Sequence, residues 1–276
     1  MKSVSIILPS IRPENLEKFY KSAIESCKKY TFDIIIPSPY LIPESLMATG
    51  NVKFIHTYAA PTVACQLATL LCNSEYLYNT TDDGLLQPNA IDIAIDKFKS
   101  LSDIDIINMR YRENALDATT LEKLPDFTGD SFPLEYWKVA YCSEYWKPGI
   151  DRDWQVAPHF LMKLKYFYFL GGYDCIFEYL NHALHDLIFR SQSHGSKITV
   201  LETDAFLCSH LPERTGDHGP IHDAQTGPDK RNFNEIYKDA NAPKNRIQLN
   251  YDNWKDYPSI WERRFGKNDL KVKKFL

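Results

Sequence analysis

Between Val4 and Met109 the chain alternates short apolar runs with amphipathic stretches, and that pattern leaves few folds open. Val4–Leu8 is unbroken apolar sequence, as a parallel strand covered on both faces requires. Pro13 follows where a first helical turn tolerates proline, and Leu16, Phe19, Tyr20, Ala23, Ile24 and Cys27 recur at helical spacing. Strands are expected at Phe32–Ile36, Val52–Ile55, Glu75–Asn79 and Ile104–Met109, with helices over Pro61–Cys72 and from Pro88 to Phe98. Such repeats require right-handed crossovers, hence an α/β protein with a mostly parallel central sheet and helices on both faces. Ligands of such sheets sit beyond the carboxyl ends of the strands. Here those ends carry Pro9-Ser10-Ile11-Arg12, Pro37-Ser38 and Asp82-Asp83.

Beyond residue 112 the pattern is less regular up to about 160, a stretch rich in Trp, Tyr, Pro and acid. Order is expected again from Phe167, with a helix to about His194 and a strand at Lys197–Leu201. Ser209–Pro243 reads as loop, and Trp261–Leu276 as a basic tail folding back on the domain through its aromatic residues.

Composition narrows the function classes. The 276 residues are 44% hydrophobic with a net charge of −4, enough to bury a core and too acidic for a generic polyanion binder. The six cysteines (Cys27, Cys65, Cys72, Cys142, Cys175, Cys208) form no CxxC clip, so they read as reduced thiols. No stretch reaches the ~18 apolar residues of a membrane span, so no integral membrane segment is expected. The expected location is cytoplasmic, with a peripheral membrane position as the alternative. Neither GxGxxG nor GxxxxGK[ST] occurs, so a nucleotide would have to be held without those phosphate cradles.

Four constellations could carry chemistry. Asp82-Asp83, at the end of an apolar strand, repel one another unless a cation stands beside them, and Mg²⁺ or Mn²⁺ prefers such oxygen ligands. Read blandly, Asp-Asp-Gly is turn chemistry. Ser10 and Arg12 could contact a nucleotide, or serve as helix cap and solvated charge. Gly171-Gly172-Tyr173-Asp174 precedes a helix holding His182, His185 and Asp186 on one face. There Asp186 could deprotonate an acceptor hydroxyl, the three could bind metal, or the face could be solvated. Finally His210, His218 and His222 crowd one loop, as metal ligands or as exposed histidines.

In order and spacing these pieces resemble the inverting glycosyltransferases of family 2. The matching segments are Val4–Arg12, Glu75–Asp83, Pro88-Asn89-Ala90-Ile91, Phe169–Asp174 and His185-Asp186 with Arg190 and Gly195. His185 stands where that family has Glu, and the spacing from Asp186 to Gly195 is shorter than the family's. The resemblance implies the GT-A-like nucleotide-diphospho-sugar transferase fold over residues 1–208, with a nucleotide-binding half at about 1–111 and an acceptor half at about 112–208. Residues 209–276 would be a His-rich loop and basic extension packed on the same domain.

It further implies a metal-dependent (Mn²⁺ or Mg²⁺) transfer of sugar from a nucleoside-diphosphate sugar, first a UDP-sugar, to an acceptor hydroxyl with inversion. The acceptor would be a glycan or another hydroxyl-bearing group, a modified nucleic-acid base among them. Pro9, Ser10, Arg12, Pro37, Ser38 and Asp82 would bind the nucleotide, and Gly171, Gly172 and Asp174 would lie by donor sugar and acceptor. Asp186 would be the base, and Asp83 the metal ligand with His210 or His218. The rivals are a non-catalytic nucleotide-sugar or glycan binder on a decayed transferase fold, a sugar-nucleotide pyrophosphorylase, and a His-rich metal hydrolase. The pyrophosphorylase would need a glycine-rich basic loop where Ser10–Glu14 stands.

Overall fold

A strand covered on both faces must alternate its side chains between two cores, and the first strand does so. In β1 (Lys2–Ile7), Val4 and Ile6 enter one hydrophobic cluster and Ile7 the other. The first cluster is closed by α1 (Leu16–Ser26) through Leu16, Phe19 and Ala23, and the second draws on helices that follow later strands. The computed structural model of the chain describes residues 1–124, 155–209, 223–239, 241–257 and 273–275.

Two further strands, β2 (Phe32–Ser38) and β3 (Val52–His56), step outward in parallel on one side of β1, with α2 (Glu44–Met47) between them. The chain then returns through α3 (Pro61–Thr69), and β4 (Ser74–Asn79) pairs in parallel on the other side of β1. The strand order thus reverses between β1 and β4, which opens a crevice at their carboxyl ends. After β5 (Gly84–Leu86), α4 (Ala90–Phe98) packs Ile91, Ala94, Ile95 and Phe98 into the α1 cluster.

The rest of the chain completes the sheet. Continuing outward from β4 come β8 (Phe160–Lys163), β6 (Ile106–Asn108) and β9 (Ile198–Val200); β8 is antiparallel to both β4 and β6. At the opposite edge β11 (Lys273–Phe275) pairs antiparallel with β3, giving eight strands among the described residues. The α/β class with a largely parallel sheet is as expected. A second, three-stranded sheet joins β5, β10 (Phe206–Cys208) and β7 (Tyr111–Arg112).

Two expectations are corrected and a third is made specific. Order resumes at Phe160, not Phe167, because the apolar run Phe160–Met162 is a strand fully buried between β4 and β6, followed by α5 (Leu164–Phe169). The stretch read as loop contains α7 (Lys230–Ile236) and α8 (Ala242–Asn245), since Phe233 and Ala242 supply apolar anchors to the second core. Part of the tail is β11, which covers the free edge of β3. Residues 125–154, 210–222 and 258–272, with Cys142, His210, His218 and His222, lie outside the described residues.

The long helix α6 (Leu180–Ser193) anchors the second core through Ala183, Leu184, Leu187 and Ile188. It ends at Gly195, whose φ of +105° suits the left-handed residue after a helix. At its start, the buried Asp229 carboxylate accepts the N–H groups of Glu178 (2.9 Å) and Tyr179 (2.7 Å) and complements the helix dipole. Asp229→Ala is expected to cost about 1–2 kcal/mol, as lost caps do, measured by urea unfolding. A change within 0.3 kcal/mol, about the scatter of such measurements, would mean water replaces the carboxylate there.

Candidate functional site

The strand ends meet at the reversal of strand order. Beyond β1 the chain turns through Pro9–Arg12, and beyond β4 it passes Thr80 to Asp83, with the Thr80 N–H donating to Ile7 C=O at 3.2 Å. Asp82 reaches back across the crevice. Its Oδ2 accepts from Ser10 Oγ (2.8 Å) and from the N–H groups of Ile11 and Arg12 (both 2.9 Å). Arg12 Nη1 donates to its Oδ1 at 2.5 Å. Asn15 Nδ2 donates to the Asp82 carbonyl at 2.9 Å, so the first turn of the α1 segment is tied to the same point. Ser10 therefore anchors a carboxylate-centred turn, and Arg12 is an ion-pair partner, not a solvated charge.

Asp83 stands in a different environment. Its Oδ1 accepts from Thr81 Oγ1 at 2.5 Å, and its carbonyl accepts from Ser209 N–H at 2.9 Å, which joins the end of β10 to this turn. Burial, and then the charge of Asp82, push the Asp83 carboxyl above the usual range. Pro9 and Arg12 keep partial exposure at the crevice, whereas Pro37 and Ser38 are buried. Pro37 C=O accepts from Ser10 N–H (3.1 Å), and Ser38 Oγ accepts from Tyr40 N–H (3.0 Å), so the ends of β1 and β2 are joined as well.

The glycine turn comes to the same end of the sheet, since Tyr173 OH donates to Asn79 Oδ1 at the tip of β4 (2.9 Å). On the side where a side chain would stand, its glycines face protein. Gly171 and Gly172 have φ of +77° and +70°. A Cβ on Gly171 would lie 2.0 Å from Leu249 O, and one on Gly172 would lie 2.3 Å from Gln66 Oε1. Gln66, fully buried, accepts from Tyr173 N–H (2.9 Å) and donates to Tyr251 C=O (2.8 Å).

Asp186, the expected base, is enclosed by protein groups. The side chain is 0% exposed. Its Oδ2 accepts from Arg190 Nε (2.7 Å), and its Oδ1 from Tyr237 OH (2.7 Å) and Arg246 Nη1 (2.8 Å). Burial alone would raise its pKa, but the two guanidinium groups outweigh burial and hold it below the usual range. Arg190, also fully buried, donates to the carbonyls of Leu170 and Gly172 (2.6 Å each) and Ile247 (3.2 Å). Arg246 extends to Asp174, whose carboxyl is raised by burial and by Asp186. Two carboxylates and two guanidiniums thus form a neutral buried cluster that locks α6, the glycine turn and the 237–247 segment together. Asp174 belongs to this cluster.

The histidines of α6 are core residues. His182 and His185 are stacked on Phe177 and Phe189 respectively, and burial lowers their pKa to about 4 and about 3, so both are neutral at physiological pH. Among the described residues no three His, Cys, Asp or Glu side chains come together as a metal cage.

The residues that sequence reasoning missed are Asn15, Gln66, Tyr237 and Arg246. Only Gln66, a lone amide in the apolar helix Pro61–Thr69, carried a visible signal. No helix among the described residues is long and apolar enough to cross a membrane. Neither the protein-family models nor the curated proteins contain a match to this chain.

Proposed function

We propose that the chain is a metal-dependent glycosyltransferase of the GT-A, inverting type, taking a nucleoside-diphosphate sugar as donor. The observation that carries this reading is the meeting of Ser10, Arg12, Asp82 and Asp83 where the strand order reverses. Asp82 is spent on shaping the turn. Asp83 beside it is a carboxylate whose charge burial and Asp82 disfavour, and a cation would relieve both effects. A hard oxygen donor of this kind suits Mn²⁺ or Mg²⁺, which bind through one or two carboxylates with substrate phosphates and water completing the shell. The residues present therefore fit the ion, with Asp83 as its protein ligand. When bound, it would stabilise the charge developing on the departing diphosphate.

Arg12, held by Asp82, adds a fixed positive charge at the crevice mouth. In the transfer the acceptor oxygen forms a bond to the anomeric carbon as the bond to the diphosphate breaks. The acceptor's hydroxyl proton leaves to solvent or to the departing diphosphate, because Asp186 is held by two guanidiniums and orders the wall behind the glycine turn. Its capture by two arginines favours one alternative, a nucleotide-sugar binder that has lost turnover. Donor hydrolysis by the wild type, lost in Asp83→Asn, would exclude that alternative.

The test is calorimetric titration of UDP, GDP, TDP and CDP, with and without Mn²⁺, against wild type and Asp83→Ala. One nucleotide is expected to bind in the presence of metal, UDP first, at least tenfold more weakly in the variant. Absence of binding by all four, metal present, overturns the reading.

The same carboxylate gives a stability signature. A carboxyl raised in the folded state costs stability at neutral pH, and that cost vanishes as pH falls through its raised value. Asp83→Asn is therefore expected to raise the melting temperature of the metal-free protein at pH 7 while abolishing the rise that Mn²⁺ gives the wild type. The advantage over wild type shrinks on acidification. A variant that melts lower than wild type at pH 7 would contradict this.

A further inference from the structure

The two carboxylates at the reversal of strand order are held from opposite sides. Asp82 is gripped by the turn after β1 through Ser10, Ile11 and Arg12, which between them use both of its oxygens. Asp83 is tied to the end of β10 instead. Ser209 donates to the Asp83 carbonyl twice, through N–H at 2.9 Å and through Oγ at 3.2 Å. That fixes the main chain of Asp83, and the freedom left to it is the direction of its carboxylate.

Thr81 sets that direction. Its Oγ1 donates to Asp83 Oδ1 at 2.5 Å, within the same turn. Threonine suits the task, because branching at Cβ restricts χ1 and the hydroxyl is held at little entropic cost. Burial and the charge of Asp82 oppose ionisation of Asp83, and the Thr81 bond works against both. Asp83 Oδ2, in contrast, accepts from no other residue among those described. The side chain keeps partial exposure at the crevice. One oxygen is therefore committed to the protein and the other is left for a ligand.

That asymmetry distinguishes between cations. Mg²⁺ demands a small, near-octahedral shell filled largely by water and phosphate, whereas Ca²⁺ takes a larger and looser one that often draws on both oxygens of a carboxylate. A bidentate Ca²⁺ at Asp83 would have to share Oδ1 with the Thr81 hydroxyl. A small ion held by Oδ2 alone, Mg²⁺ or Mn²⁺, leaves that bond intact. We infer that Thr81 is a positioning residue that presents Asp83 through one oxygen and so makes the site select Mn²⁺ or Mg²⁺ over Ca²⁺. This role rests on the glycosyltransferase reading, whose cation it specifies.

Calorimetric titration of the full chain with Mn²⁺, Mg²⁺ and Ca²⁺, in the presence of UDP, GDP, TDP and CDP in turn, tests it. Wild type, Thr81→Val and Thr81→Ser are compared. Wild type is expected to bind Mn²⁺ at least tenfold more tightly than Ca²⁺. Thr81→Val keeps the shape and removes the donor, and should cut that preference at least fivefold. Thr81→Ser restores the hydroxyl and should return the preference to within about threefold of wild type. A structural role alone would weaken every ion alike and leave the ratio unmoved. Thr81→Ala, which also lacks the donor, carries the same expectation should the valine variant not fold.

A preference unchanged in the variants without the hydroxyl, or one that Thr81→Ser does not restore, would overturn the inference and leave the donor site standing. Wild type that binds Ca²⁺ as tightly as Mn²⁺ would do the same. Absence of cation-dependent binding by all four nucleotides in wild type would remove the donor reading and the role of Thr81 with it.

Discussion

Asp186→Ala is expected to lower the unfolding free energy by about 3–5 kcal/mol, the usual consequence of removing one partner from a buried ion pair. Among the described residues, the variant takes from the fully buried Arg190 its only carboxylate, leaves Arg246 with Asp174 alone, and removes the carboxylate to which Tyr237 OH donates. Against total stabilities of about 5–15 kcal/mol, that loss removes from about a fifth to all of the margin. Urea unfolding and thermal melts read this directly. A catalytic base poised in a cleft would behave otherwise, losing turnover and keeping its stability. Acid titration gives the same answer from another side. A carboxylate held below its ordinary value contributes stability that is intact above the unfolded pKa of about 4 and is lost as pH falls through the depressed value. Wild type should therefore lose stability in that window, and Asp186→Asn should not show that loss.

Gly171→Ala is expected to cost about 2–5 kcal/mol, combining a left-handed backbone with overpacking. The added methyl would have to displace the Leu249 carbonyl, which is main chain and cannot rotate aside. Gly50→Ala provides the internal control. Its φ of +76° is nearly the same, but nothing lies within 4 Å of the new Cβ, so only the backbone component of about 1–2 kcal/mol applies. Chemical denaturation of the pair separates the two contributions. Equal losses would mean that the contact between the glycine turn and the Leu249 segment contributes nothing.

What the sequence revealed follows the range of the forces involved. The strands of the β1–β4 region announce themselves through local apolar runs, and the reversal of order makes Ser10, Arg12, Asp82 and Asp83 neighbours across 70 residues without any residue-level coincidence being needed. Phe160–Met162 was harder, because a short apolar run carries no direction and antiparallel pairing is set by its neighbours. The four-residue spacing of Asp186 and Arg190 stands in the sequence, but not their burial, to which a segment much later in the chain contributes. With Arg246 absent from view, a charged helix face looked like a face meant for chemistry. The small sheet escaped notice because Gly84–Leu86 is too short to show a period of its own.

The span of that cluster bears on how the protein comes into being. Arg246 lies 60 residues after the carboxylate it neutralises. During synthesis, which proceeds from the amino end at about 5–20 residues per second, β1 to β4 can assemble well before then. Asp186 emerges with Arg190 to answer one of its oxygens, and for several seconds the other has neither Tyr237 nor Arg246. The nascent chain therefore carries an unfinished core beneath α6 while β1 to β4 are already in place, and the closing charge arrives only 60 residues after Asp186. Fidelity of assembly is thus concentrated in segments made 51 to 60 residues after Asp186, and Leu249 just beyond them presses against Gly171.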